Sequence, residues 1–384
     1  MIERRLKFGE SDDSIFLWGA RQTGKSTLLM QRYPDAKYYD LLESDLFERF
    51  RRQPSLLRNE LTMMDSSTLV IIDEIQKIPE LLDEVHWLIA RRNIRFILSG
   101  SSARKLRRCG ANLLGGRAIR YQLFPFVSAE IPDFDLSHAI NNGMLPSHYL
   151  TDDPTKRLQA YVGDYLREEI KEEALTRNIS SFSKFLEIAA LTDGEILNYK
   201  NIAADCGVSS PTVKEYFSIL EETLLGYTLP AYSKTVKRRV VQSPKFYLFD
   251  VGIVNYLTHR RDLQPGSVDY GHALEHLMVQ EVIAYLSYTE SKLQIAYWRT
   301  TSGYEVDIIL FDPYNQEINY AIEVKSCDEV QHRHLKGLRA LRDEHPQIHA
   351  VCISHDKAPR MTDDGIEIWP AEEFLKQLWN GRFS

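Results

Sequence analysis

Gly19-Ala20-Arg21-Gln22-Thr23-Gly24-Lys25-Ser26 is the stretch that decides the fold. It has the full glycine, lysine and hydroxyl spacing of a phosphate-binding loop. Ser14–Trp18 before it is a short apolar run of strand length. Thr27–Tyr33 after it reads as a helix that Pro34 stops. Strand, loop and helix in that order are the context the spacing requires. The glycines let backbone N–H groups turn towards phosphate oxygens, Lys25 can reach the outer phosphates, and the Ser26 hydroxyl can ligate Mg²⁺. The eight residues of the loop, with Thr27 beyond them, form the candidate phosphate-contacting set.

Working outward, Leu69-Val70-Ile71-Ile72-Asp73-Glu74 is an apolar run that ends in two carboxylates. A continuous apolar run of this length suits a strand buried on both faces. In enzymes with this loop the first carboxylate, here Asp73, shares Mg²⁺ with the loop hydroxyl. Glu74 is then placed to polarise a water for attack on the γ-phosphate. Loop and acids together predict binding and hydrolysis of a nucleoside triphosphate. Phe96-Ile-Leu-Ser99-Gly-Ser101-Ser102 is another strand tipped with hydroxyls. Ser99 or Ser101 can contact the γ-phosphate or the attacking water, or cap a helix starting near Ala103; the sequence leaves both readings open. Arg117 follows Gly115-Gly116 and is either a cation for transition-state charge, in cis or on a neighbouring subunit, or a surface arginine. Further strands at Lys37–Asp40 and Ala118–Leu123 alternate with helical stretches at Glu43–Met64, interrupted by Pro54, and Pro79–Arg91. Such alternation implies a parallel sheet covered by helices.

These residues, with Ile75-Gln76-Lys77-Ile78-Pro79 after the acids and Leu123-Phe124-Pro125 after Arg117, resemble the AAA+ ATPases of bacteria and archaea that carry an uncharacterised C-terminal domain of restriction-endonuclease type. The resemblance covers nearly the whole chain. It implies a five-stranded AAA+ core, Ser99 and Ser101 as the sensor region, and Arg117 as the arginine finger. AAA+ sites usually form between subunits, so it also implies a homo-oligomer, with a hexamer as the expected form. Phe126-Val-Ser-Ala-Glu130 departs from the family, which more often shows an aromatic after the glutamate.

From about Thr155 to Leu225 the pattern is helical. Asn198–Cys206, a turn at Gly207, and Pro211–Leu225 read as helix-turn-helix, with Ile202, Ala203, Val208, Val213, Phe217 and Leu220 as its core. Ser210-Pro211 reads as the cap and first-turn proline of the second helix. Gly226–Tyr232 followed by Lys234–Arg239 reads as a wing with a basic tip. Two uses stay open: DNA binding, with cations on phosphates, or packing against the ATPase.

In the last third, Asp307 lies on one strand and Glu323 and Lys325 on another. Residues two apart in a strand share a face, so Glu323 and Lys325 do. Two carboxylates beside an ammonium suit Mg²⁺ with a cation to position water. The Asp…Glu-x-Lys order is similar to the PD-(D/E)xK nucleases, Holliday-junction resolvases among them. Glu275, on a helix face with Met278, Val279, Val282 and Leu286, is the candidate further ligand. Related folds also serve as inactive DNA-binding modules, so cleavage is an open alternative.

The segments expected are an AAA+ core over 1–135, a helical winged region over 136–240, and an α/β nuclease-like domain over 241–384. The 384 residues, 43% hydrophobic and 26% charged, exclude a disordered or fibrous chain. No apolar run reaches the about 20 residues that span a bilayer, and the N-terminus lacks a signal-peptide core, so a cytoplasmic protein without a membrane partner is expected. Four scattered cysteines give neither a zinc site nor a disulfide framework. Net charge is −7, yet Lys234–Arg261 holds seven Lys/Arg and one carboxylate, Asp250. The expected function is an ATPase acting on DNA, duplex or branched. A nucleotide-dependent switch with an inactive nuclease-like domain is the rival, and no pore-loop signature supports a protein remodeller.

Overall fold

The computed structural model describes residues 2–9, 12–65, 68–102, 104, 106, 114–166, 179–233 and 243–383, the side chains of 164–166 and 179 excepted. The basic wing tip Lys234–Arg239 lies outside these residues, and of the helix expected near Ala103 only Arg104 and Leu106 are described, both helical. Contacts divide the chain into two compact units: Leu6–Pro125 with Ile219–Leu225, and Met1–Arg5 with Phe126–Ser218 and Gly226–Ser384. The segments expected at 136–240 and 241–384 therefore fall largely into one unit.

In the first unit the elements run β1 (Ser14–Trp18), α1 (Lys25–Arg32), β2 (Lys37–Asp40), α2 (Ser44–Arg52), α3 (Ser55–Thr62), β3 (Leu69–Asp73), α4 (Leu81–Arg92), β4 (Arg95–Gly100) and β5 (Ala118–Gln122). Pro54 separates α2 from α3, as a residue without an N–H and with a clashing ring does. The sheet has five strands in the order β2-β3-β4-β1-β5, with every neighbour parallel. Val70, Ile71, Ile72, Phe96, Ile97 and Leu98 are wholly buried, because helices cover both faces of the central strands. Each such side chain contributes about 1.5–3 kcal/mol by leaving water. This is the α/β P-loop core expected from the sequence. Its parallel order brings the carboxyl ends of β1, β3 and β4 to one edge, where ligands bind in open α/β sheets.

The second unit opens with α5 (Leu136–Asn142), α6 (Pro146–Tyr149), α7 (Thr155–Ala160) and α8 (Ile179–Leu191). Next come α9 (Tyr199–Cys206), α10 (Ser210–Glu222, whose last turn belongs to the first unit), β6 (Gly226–Leu229), β7 (Lys245–Leu248) and α11 (Val251–Leu257). α12 (Val268–Tyr288), β8 (Gln294–Arg299), β9 (Glu305–Phe311), β10 (Ile318–Val324), α13 (Lys336–Glu344), β11 (His349–Ser354), β12 (Arg360–Met361), β13 (Glu367–Pro370) and α14 (Ala371–Trp379) complete it. A six-stranded mixed sheet has the order β12-β13-β11-β10-β9-β8, and β6 pairs antiparallel with β7. One core joins Ala139 and Ile140 of α5, Leu277 and Met278 of α12, Ile308 of β9 and Ile322 of β10. This shared core is the physical reason the middle and last segments are one body. No helix among the described residues is long and apolar enough to cross a membrane.

Candidate functional site

The phosphate loop turns from β1 into α1 through Gly24, whose φ of +92° is left-handed and suits a residue without Cβ. Gln22 also has positive φ, at +64°, so the loop holds a conformation that side chains seldom adopt. Lys25 is buried, and its Nζ donates to the carbonyls of Gly19 at 2.8 Å and Ala20 at 3.2 Å. Thr23 Oγ1 donates to Ala20 O at 2.9 Å and closes the loop. Thr27 is exposed on the first turn of α1.

Asp73 ends β3 where the sequence reading put it. Ser26 Oγ donates to its Oδ2 at 2.5 Å, so the two residues expected to share Mg²⁺ already face one another. Tyr38 Oη donates to the same oxygen at 2.6 Å, and Ser99 Oγ donates to Oδ1. Glu74 is buried with φ of +57°, a strained backbone that aims its carboxylate beside Asp73. Burial raises its pKa above the ordinary value; Lys25 opposes that shift and Asp73 adds to it.

Two residues here were not read from the sequence. Tyr38 lies two residues before Asp40, which pairs with Asp73 across β2 and β3, so strand parity places it on the acid's face. Its hydroxyl is held protonated, first by burial and then by the bond to Asp73. Gln76 follows the acids and is 5% exposed. Its Nε2 donates to Glu74 Oε2 at 2.5 Å and to Ser101 Oγ at 3.1 Å. The two candidate sensors thus divide: Ser99 meets Asp73 directly, and Ser101 meets Glu74 through Gln76. Gly100 makes room for this bridge, since a Cβ there would lie 2.3 Å from Gln76 Oε1 and 2.8 Å from Trp18. Arg104 N donates to Ser102 Oγ at 3.1 Å, so the local hydroxyl bond to that backbone falls to Ser102. Arg117 is exposed at the start of β5 and donates to His86 Nε2 on α4.

The second unit gathers the other predicted residues. Asp307 and Glu323 are each 6% exposed, on neighbouring strands β9 and β10. Lys325 pairs with Glu323 and stands 3.9 Å from Asp307 Oδ2, which also accepts from Val324 N at 2.8 Å. Glu275 of α12 is near enough for its charge to raise the pKa of Asp307, behind burial as the larger cause. Burial, then Asp307, pushes Glu323 well above the carboxylate range. Lys245 of β7 is a further member missed in sequence: its Nζ lies 3.1 Å from Glu275 Oε1 and 2.7 Å from Glu305 Oε1. Burial would lower its pKa, but Glu275, Asp307 and Glu305 outweigh that and hold it above the ordinary lysine value. Among the described residues, no three His, Cys, Asp or Glu side chains are gathered as a metal would need. Each acid of this cluster is already turned to a cation or a backbone donor, so the donor set does not fit a resident metal.

Between the two clusters in sequence, α9 and α10 lie on either side of a turn whose Gly207 is left-handed, and the antiparallel β6–β7 pair follows. Phe182, Phe185, Tyr216, Phe217 and Phe246 pack edge to face beneath it. The cap of α10 is Ser209 rather than Ser210: its Oγ accepts from Thr212 N at 3.3 Å. The register slips by one because Pro211 sits second in the helix, not first. Lys214 and Glu215 are exposed and Thr212 is half-buried, with the Lys214 ammonium 5.1 Å from the Tyr199 ring.

Residues 11–131 match the family model of an AAA domain. Residues 133–264 and 270–374 match two domains of unknown function, DUF8612 and DUF4143. The parallel sheet, the loop and the acid-ended strand define the first segment as an AAA-type P-loop ATPase domain. The chain is similar to an uncharacterised protein of Mycobacterium tuberculosis, 23% identical and covering 79% of this chain and 69% of that one. It is also similar to one of Methanocaldococcus jannaschii, 25% identical and covering 88% and 81%. Among solved structures it is similar to a Walker-type ATPase of Pyrococcus abyssi, with TM-score 0.43 and 15% identity over 63% of this chain and 90% of that one.

Proposed function

We propose that the chain is an ATP-hydrolysing AAA+ protein that acts on DNA, with the phosphate loop as its motor site. The observation that carries the ATPase part is the meeting of Ser26 Oγ and Asp73 Oδ2 at 2.5 Å with Glu74 beside them. Hard oxygen donors, one hydroxyl and one carboxylate with phosphates to complete the shell, fit Mg²⁺. Bound there with ATP, Mg²⁺ would neutralise charge on the outer phosphates. Gly19–Thr27 cradles the phosphates, Lys25 leaves its carbonyl partners to reach them, and Glu74 polarises the attacking water. Ser99 and Ser101 report on the γ-phosphate to Asp73 and Glu74. Arg117, exposed at the end of its turn, supports completion of a neighbour's site in a homo-oligomer, a hexamer in the simplest case.

DNA as the partner is supported by the helix-turn-helix with its trailing hairpin, and by the Asp307, Glu323, Lys325 and Glu275 cluster on a mixed sheet. The rival reading, a nucleotide-dependent switch whose second unit binds DNA or protein without cutting, gains from one observation: that cluster is ion-paired throughout. ATPase rates with and without linear, single-stranded and four-way-junction DNA, with Lys25→Ala as the blank, test the proposal. Stimulation by one DNA form is expected. A DNA-independent rate, with no DNA bound at low salt, would leave the switch.

A further inference from the structure

No sequence motif contains Lys245, yet only 4% of it is exposed. An unpaired ammonium at that depth is strongly unfavourable, so its partners explain why it is there. Its Nζ lies between Glu275 Oε1, at 3.1 Å, and Glu305 Oε1, at 2.7 Å, with the Tyr297 ring centroid 5.7 Å away. Tyr247, two residues along and therefore on the same face of β7, donates to that same Glu275 oxygen at 2.7 Å. β7 thus presents an ammonium and a phenol to Glu275, the residue that a nuclease-like site would use as a metal ligand.

The other half of the cluster is closed in the same way. Lys325 covers Glu323 and faces Asp307, whose Oδ2 is also held by Val324 N. A divalent ion needs carboxylate lone pairs converging on one point, and here they diverge onto two separate ammoniums. It would also approach a buried like charge in a medium that screens poorly. Glu323 Oε2 is buried without a hydrogen-bond partner, so it is out of reach of an ion arriving from water.

We infer that Lys245 is the resident counter-ion of the C-terminal acidic cluster, and that the cluster is closed to divalent cations while Lys245 stays in place. The inference rests on the nuclease-like reading of that cluster and not on the ATPase. β7 pairs with β6 in the hairpin that follows α10, so the counter-ion sits on an element proposed to engage DNA.

Equilibrium Mn²⁺ binding by the full chain, read by the loss of free-ion EPR signal, tests it. An Asp73→Asn background removes the phosphate-loop contribution. In that background, no Mn²⁺ bound at millimolar concentration is expected with Lys245 present. Lys245→Met is expected to gain one site per chain, lost again on Asp307→Asn. Lys245→Gln supplies the same arm if the methionine variant fails to fold. A site already present with Lys245 intact and abolished by Asp307→Asn would overturn the inference. So would folded Lys245 variants that gain none. Because no ATP is turned over, either result leaves the ATPase reading to its own test.

Discussion

The molecule holds two acidic centres that solve one problem in opposite ways. At the phosphate loop, Asp73 and Glu74 are held by neutral donors: the hydroxyls of Ser26, Tyr38 and Ser99, and the amide of Gln76. Their negative charge is oriented but not cancelled. In the second unit, Glu275, Asp307 and Glu323 are held by the ammoniums of Lys245 and Lys325. There the charge is largely cancelled from within. A centre of neutral donors is prepared for a cation that arrives with a ligand, whereas a centre of ammoniums already has its cations. The comparison explains how similar residue types, an aspartate and a glutamate at the ends of buried strands, support an ATPase in one unit and a closed site in the other.

If neutral donors pose the acids of the first centre, removing the amide that holds Glu74 is the sharper way to break it. A hydrogen bond to a charged group is worth about 1.5–3 kcal/mol, so Gln76→Leu is expected to lower kcat by about 10- to 100-fold. KM for ATP should change little, because the Gln76 amide donates to Glu74 and Ser101. Steady-state phosphate release measures this, and the same substitution in a Glu74→Gln background should cost nothing further. Additive losses would mean that Gln76 acts through folding instead. Gly100→Ala applies a gentler push to the same bridge. Its Cβ would crowd Gln76 Oε1 and the Trp18 ring, an overpacking cost of about 1–3 kcal/mol. A thermal melt should show the loss of stability, and a kinetic defect of the Gln76→Leu kind, smaller in size, should accompany it.

The first centre was legible in sequence because its parts are local. The loop is eight consecutive residues, and Asp73 and Glu74 follow an apolar run whose length announces a buried strand. Glycines, a lysine and a hydroxyl at fixed spacing carry their chemistry with them. Tyr38 was not legible, since only the pairing of β2 with β3 brings it to Asp73. Gln76 was visible as a neighbour of the acids, but its role needs the tip of β4 beside it. The second centre was half legible. Glu323 and Lys325 follow from strand parity and Asp307 from the Asp…Glu-x-Lys order, and Glu275 lies near enough to act on Asp307. Lys245 could not be read, because its meaning arises from β7 lying against α12, a contact between residues thirty apart. The same long-range packing merged two expected segments into one unit. A local error also occurred: the cap of α10 moved by one residue to Ser209, since Pro211 tolerates the second helical position as well as the first.

We propose that the phosphate loop and the Asp73-Glu74 pair hydrolyse ATP, with Glu74 activating the water. The most direct measurement is the rate of phosphate release by Glu74→Gln beside wild type, with ATP affinity measured on both. A positioned general base contributes about 10²- to 10⁴-fold, so hydrolysis should fall by at least about 100-fold while ATP still binds. Hydrolysis by Glu74→Gln at the wild-type rate, or a wild-type chain that binds no ATP, would mean that this pair does not carry the reaction.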